Sequence, residues 1–201
     1  MREVKENDVI ADVGAYGGLY TIALAKRAGR NGKIVVFEPD RNNLALLREN
    51  VKLNEIPCEI KIIESVAGDV QGKVRFQMKG SSVSSVSPCA CADTAQDEPV
   101  ESTTLDQVFG DGRLDILKID VEGFEGRVLL GAKNLLQRKA GFPRAIFIEV
   151  HPYAWEKYGT DSRSIVSFLT DAGYKIEDLE GVFVKNITSY GEIIARKNKN
   201  I

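Results

Sequence analysis

Val9-Ile10-Ala11-Asp12-Val13-Gly14-Ala15-Tyr16-Gly17-Gly18 is a short, mostly apolar run that stops at a glycine-rich turn. From Leu19 to Ala28 the apolar residues then recur at helical spacing, with Leu24 and Ala25 one turn after Tyr20 and Thr21. A buried strand, a glycine turn and a helix form the opening of a βαβ unit, the building block of a parallel sheet. The turn lies where open parallel sheets bind ligands, outside the carboxyl ends of the strands.

The alternation continues along the chain. Lys33 to Glu38 (KIVVFE) is a second buried strand, closed by Pro39-Asp40, and Asn42 to Leu53 returns to helical period through Leu44, Leu47 and Val51. Glu59 to Val66 reads as a third strand, and Gly72 to Lys79 alternates Val74, Phe76 and Met78 against polar residues, as a half-exposed strand does. Leu114 to Asp120 (LDILKID) is the fourth main strand, followed by a helix over Gly126–Lys139. Ala145 to Val150 (AIFIEV) is the fifth, ended by His151-Pro152. Ser164 to Ala172 is helical, and Tyr174–Leu179 with Glu192–Arg196 forms a closing strand pair. Between 81 and 99 the pattern breaks into a small, polar, aperiodic stretch, expected to be a long loop on the substrate side.

Composition bounds the function. The 201 residues fit one domain, taken as 1–201, and 43% hydrophobic with 28% charged residues is a globular balance. A net charge of −2 provides no broad footprint for nucleic acid, and no apolar run is long enough to insert into a membrane. The polar amino terminus lacks a secretory pattern, and Cys58, Cys89 and Cys91 make neither a disulfide framework nor a zinc set. A cytoplasmic location follows as the expectation. Self-association is left open.

The first turn selects the ligand. Gly14, Gly17 and Gly18 depart from the GxGxxG spacing of a pyrophosphate site, and Asp12 stands just ahead of them. A carboxylate suits a cationic ligand better than a phosphate, which favours S-adenosylmethionine, with its sulfonium and ammonium, over a nicotinamide dinucleotide. Glu38, at the end of the second strand, is placed to accept the hydroxyls of a ribose. Asp120, Glu122, Glu149 and His151 fall at the carboxyl ends of the fourth and fifth strands. His151 is the sole histidine and the candidate general base; Asp120 and Glu149 are the accompanying catalytic carboxylates. Glu122 and Glu125 can equally serve as charges at the start of the next helix. No ligand spacing calls for a metal.

These residues fall within an ordered set that resembles the FkbM-type methyltransferase family, a branch of the class I S-adenosylmethionine-dependent enzymes. The set comprises DVGAYGGLYT (Asp12–Thr21), FEPD (Phe37–Asp40), TTLD (Thr103–Asp106), DILKIDVEGFE (Asp115–Glu125), LLGA (Leu129–Ala132) and FIEVHP (Phe147–Pro152). It departs from the family pattern at Tyr16, where asparagine is usual. The resemblance implies an α/β Rossmann-like class I methyltransferase fold: a mostly parallel seven-stranded sheet, its last strand antiparallel, with helices on both faces. It also implies S-adenosylmethionine as cofactor and methylation of a hydroxyl on a sugar, lipid or natural product, hence a small-molecule or glycan acceptor. The implied cofactor contacts are Asp12, Gly14, Ala15, Tyr16, Gly17, Thr21, Glu38, Pro39, Ser65, Val66 and Asp120, with Ser65 and Val66 near the adenine. The rival readings are a nicotinamide-dependent oxidoreductase and a non-catalytic cofactor-binding module.

Overall fold

The structure is a computed structural model that describes residues 3–77, 85–87 and 97–198. Its main sheet has seven strands. These are β1 (Val9–Val13), β2 (Lys33–Phe37), β3 (Glu59–Ile63), β8 (Ile116–Ile119), β9 (Ala145–Val150), β10 (Tyr174–Asp178) and β11 (Gly191–Lys197). They run in the order β10-β11-β9-β8-β1-β2-β3, all parallel except β11, which is antiparallel to both neighbours. The expected mostly parallel seven-stranded sheet with an antiparallel last strand is the observed one.

Both faces of this sheet are buried, and strand periodicity decides which residue goes where. Ile10, Ile34, Val36 and Ile116 point to one side, where they pack against Leu24, Ala25 and Ala28 of α1 (Leu19–Ala28) and Leu44 and Leu47 of α2 (Arg41–Leu53). Ala11, Val13, Val35, Phe37, Leu117 and Ile119 point to the other. That side is covered by α4 (Glu125–Leu130), α5 (Lys133–Gln137) and α7 (Ser162–Asp171). Each fully buried Ile or Leu contributes about 1.5–3 kcal/mol, so the two layers fix the sheet. Helix starts are capped locally. Asp40 accepts from the backbone N–H groups of Asn42 and Asn43 at α2, and Asp161 forms a capping box with Ser164 at α7.

Four elements differ from the sequence expectation. The third strand stops at Ile63, and Val66–Ala67 is a separate strand, β4, in a second sheet of order β4-β7-β5-β6. That sheet includes β5 (Gly72–Gln77), β6 (Ser85–Ser87) and β7 (Asp97–Thr103). The stretch expected as a loop at 81–99 therefore contributes strand at 85–87 and 97–99, and the rest of it lies outside the described residues. Its small polar residues hide the pattern because an antiparallel ladder is held by backbone groups as well as by apolar pairs. The single helix expected over Gly126–Lys139 is broken into α4 and α5. Gly131, at the break, lies so close to Gly68 that an added Cβ would stand 1.8 Å from its carbonyl oxygen. Finally, Pro152 does not only end β9. It is the first residue of a short helix, α6 (Pro152–Trp155), where its missing N–H is not needed. α3 (Leu105–Phe109) completes the set. Among the described residues, no helix is long and apolar enough to cross a membrane.

Candidate active site

A cleft of about 250 Å³ opens at the carboxyl ends of β1, β2 and β8. The turn after β1 forms its floor. Gly14 adopts φ +77°, and a Cβ there would stand 1.7 Å from the backbone oxygen of Asp120, so only glycine lets the two loops meet. Tyr16 is held at φ +51°, its N–H donating to Glu38 Oε2 at 2.8 Å. Glu38 is nearly buried and also accepts from the Asp40 N–H (2.9 Å) and from Asn43 Nδ2 (3.3 Å). Burial raises its pKa, and those donors partly offset the rise. A carboxylate offers about four acceptor positions, so capacity remains for a ligand hydroxyl.

Pro39, Ser65 and Val66 line the same cleft, with Ala67, Phe76 and Phe124 forming an apolar wall. Among the described residues, the buried hydroxyl of Ser65 has no hydrogen-bond partner. An apolar slot with an orphaned hydroxyl beside a nearly buried carboxylate fits an adenosine. Among the described residues, no Lys or Arg lines the cleft, whereas Glu38, Asp120 and Glu122 do. That donor set suits S-adenosylmethionine and is unsuited to a pyrophosphate.

Asp12, Ala15, Gly17 and Thr21 do not line the cleft. Asp12 alternates with Ala11 and Val13, so it points to the α1 side with Ile10 and is wholly buried. Thr21 on α1 donates to its Oδ2 at 2.5 Å. Its Oδ1 lies 3.1 Å from Lys118 Nζ, close enough for an ion pair but not aligned as a hydrogen bond. The Asp12 charge is thus matched by Lys118 rather than turned toward the cleft. Gly17 accepts from Asn50 Nδ2 at 2.7 Å and fixes the turn on α2.

Lys118 was not singled out from the sequence. Its Nζ also donates to the Gly14 carbonyl at 2.8 Å and lies 3.5 Å from Asp120 Oδ2, tying β8 to the glycine turn. Burial alone would lower its pKa, but Asp12 and Asp120 outweigh burial and hold it raised. A lysine inside an apolar strand needs buried counter-charges, and Asp12 stands opposite it in register on β1 while Asp120 follows two residues later, just past the end of its own strand. That is the signal by which it could have been found.

The carboxyl ends of β8 and β9 are built around His151. Glu125, wholly buried at the start of α4, places Oε1 2.7 Å from His151 Nδ1 and accepts from the Gly123 N–H at 2.9 Å. Its Oε2 accepts from Trp155 Nε1 at 2.7 Å. The carboxylate beside Nδ1 favours a proton on that nitrogen, and Nε2 is turned to the other carboxylates. There it lies 3.4 Å from Glu122 Oε2 and 3.9 Å from Glu149 Oε1. Burial works to lower the imidazole pKa, but the hydrogen bond and charge of Glu125, with Glu122 and Asp120, hold it above the ordinary value. Asp120 is pushed up to about 6, first by burial and then by Glu149 and Glu122, against the pull of Lys118 and His151. Asp120, Glu149 and His151 are therefore brought together, as the sequence placed them. Asp120, Glu122 and His151 each offer a ligand atom within 4.8 Å of the others, a grouping able to hold a cation, though the sequence called for none. Glu125 gives no local sequence signal, since its partner is 26 residues away.

Comparisons with known proteins bear on the family and the fold. Hexuronic acid methyltransferase AglP of Haloferax volcanii is 25% identical over 185 residues, which are 88% of this chain and 67% of that protein. A methyltransferase FkbM structure from Methylobacillus flagellatus superposes with a TM-score of 0.61 at 17% identity. It covers 95% of this chain, which spans 44% of that structure's length. The fibrillarin of Aeropyrum pernix, solved with natively bound S-adenosyl-L-methionine, superposes with a TM-score of 0.53 at 17% identity, covering 96% of this chain and 68% of its own. The methyltransferase FkbM domain matches residues 12–176, and the chain belongs to the FkbM family of S-adenosylmethionine-dependent methyltransferases.

Proposed function

We propose that this protein methylates a hydroxyl group of a saccharide at the edge formed by Asp120, Glu149 and His151. The observation that carries the reading is the continuity of the cleft. Glu38 and Ser65 line it together with Asp120 and Glu122, and His151, buried and not itself lining the cleft, places Nε2 3.4 Å from Glu122 Oε2. When bound, S-adenosylmethionine supplies an electrophilic methyl group. The chain's own residues do the rest. Glu38 binds ribose hydroxyls, Ser65 and its apolar neighbours take the adenine, and Asp120 orients the acceptor. His151 Nε2 takes the acceptor's proton, while Glu125 holds the ring in one orientation and stabilises the imidazolium that forms. A saccharide acceptor is supported by the likeness to a protein named as a hexuronic acid methyltransferase.

The test is mass spectrometry on the purified protein incubated with S-adenosylmethionine and a panel of glycosides. S-adenosylhomocysteine and a glycoside heavier by one methylene unit are expected to appear together. Cofactor binding with no methylated product from any glycoside would remove the saccharide, and product from a lipid or aglycone hydroxyl would replace it.

A further inference from the structure

Two tyrosines flank His151 at the open edge. Tyr153 begins two residues later on α6, its ring centroid 5.9 Å from the imidazole, and Tyr190, just before β11, lies 5.3 Å from it. They are 71% and 60% exposed, so both rings are open to a ligand. Neither ring is loose. The Tyr153 hydroxyl donates to Glu122 Oε2 at 3.3 Å, and the Tyr190 hydroxyl donates to Glu149 Oε1. Each is a flat apolar plate, anchored at its polar tip to a carboxylate that also faces His151 Nε2.

This pairing suits one kind of ligand. A pyranose has apolar C–H faces that cover an aromatic plate and a rim of hydroxyls that donate to carboxylates. The charge is equally selective. Asp120, Glu122 and Glu149 converge here, with Glu125 behind them. Lys118 is shared by Asp12 and Asp120. Among the described residues, no arginine lines either cavity beside the edge: the cleft, or the cavity of about 280 Å³ under Tyr20, Lys118 and Glu149. A ligand carboxylate would enter without a fork to receive it and against three of its own sign.

We propose that Tyr153 and Tyr190, with Glu122 and Glu149, form an acceptor subsite for a neutral pyranose and reject a hexuronic acid, the sugar in the name of the Haloferax relative. The inference rests on the saccharide reading above and narrows it. The carboxylates accept ring hydroxyls, the tyrosines cover the ring faces, and the absence of a cationic fork sets the preference.

The probes are p-nitrophenyl β-D-glucopyranoside and p-nitrophenyl β-D-glucuronide, which differ in charge at one carbon. Ligand-observed NMR titration is run at low salt, with and without S-adenosylhomocysteine. The glucoside is expected to bind at least about tenfold more tightly than the glucuronide, and the ratio to shrink in 1 M salt. Tyr153→Ala and Tyr190→Ala are each expected to weaken the glucoside about threefold to tenfold while S-adenosylhomocysteine affinity is kept. The double variant Glu122→Gln/Glu149→Gln should narrow the gap between the two sugars. Equal or tighter binding of the glucuronide, or binding of neither sugar, overturns the subsite. Loss of the saccharide reading shows separately, as an absence of methylated glycoside in the mass-spectrometric panel.

Discussion

Glu125 Oε1 lies 2.7 Å from His151 Nδ1, and both side chains are buried at the head of the reaction edge. The contact fixes the tautomer and the ring plane of the sole histidine. Glu125→Gln is expected to leave S-adenosylhomocysteine affinity within about twofold and to lower the rate constant about tenfold or more. Removing the charge also removes the main influence holding the His151 pKa up, so the rising limb of the pH–rate profile should move to lower pH. A variant with a lower rate and an unmoved limb would make Glu125 a packing residue only.

Asp120 carries the opposite kind of cost. Its native pKa of about 6 lies above its ordinary 3.8, so between those values the folded chain binds a proton that the unfolded chain releases. The stabilisation from that proton is complete below about pH 3.8 and gone above about pH 6. His151 has the same sign, its contribution being full below the ordinary histidine value of 6.5 and lost as pH passes the raised native one. Asp120→Asn should therefore raise stability at pH 7.5 by about 1–2 kcal/mol, the full shift being discounted for partial exposure. The gain should vanish near pH 4. Melting curves at the two pH values check this, and equal differences at both would refute it.

Gly14 and Gly181 both have positive φ, +77° and +86°, but only Gly14 is crowded. Gly181→Ala meets open space and should cost about 1–2 kcal/mol of backbone strain. Gly14→Ala adds a clash with the Asp120 carbonyl, which cannot yield as a side-chain tip can. It should cost more than about 3 kcal/mol and displace the turn from β8. Chemical denaturation of the two variants side by side makes the comparison.

Glu38 tests the cofactor end. Glu38→Gln keeps the shape but loses the charge that receives the Tyr16 and Asp40 N–H groups and, as proposed, the ribose hydroxyls. Charge-assisted bonds of this kind are worth roughly 1.5–3 kcal/mol. Calorimetry should find S-adenosylhomocysteine bound about tenfold to a hundredfold more weakly. An unchanged dissociation constant would take Glu38 out of the site.

The sheet was legible because its strands are buried on both faces and read as apolar runs between glycine or proline stops. Val9–Val13 and Lys33–Phe37 come out at their observed ends, or within a residue of them. Of the second sheet, Gly72–Gln77 was legible from its alternation, but the rest was not, because Ser85–Ser87 and Asp97–Thr103 carry little of it. At the site, the reaction edge followed from strand ends alone, which is why Asp120, Glu149 and His151 were placed together. Asp12 was read as facing the ligand because it stands just ahead of the glycine turn, where a carboxylate suits a cationic ligand. Period-two alternation with Ile10 sends it under α1 instead, to Thr21 and Lys118. Glu125, Tyr153 and Tyr190 gain meaning only from partners brought near by the fold.

The last prediction concerns the base itself. An alcohol is a poor nucleophile, and a positioned base contributes about 10² to 10⁴ in rate. In the neutral ring, held through Nδ1, Nε2 is the nitrogen free to take a proton, and it faces Glu122 and Glu149. His151→Ala is therefore expected to keep S-adenosylmethionine affinity while the rate constant falls at least about a hundredfold. In the unaltered enzyme the rate should rise with pH through an apparent pKa above 6.5, since the carboxylates around the imidazole hold its proton on. That limb should be absent in the variant. Asp120 lies close enough to compete for the role, and its pKa of about 6 would place its own limb lower. The two candidates are thus separated by where the limb falls and by which substitution removes it. A limb near pH 6 that Asp120→Asn abolishes and His151→Ala leaves in place would exchange their roles. Rates indifferent to both substitutions at saturating cofactor would leave positioning as the whole of the catalysis.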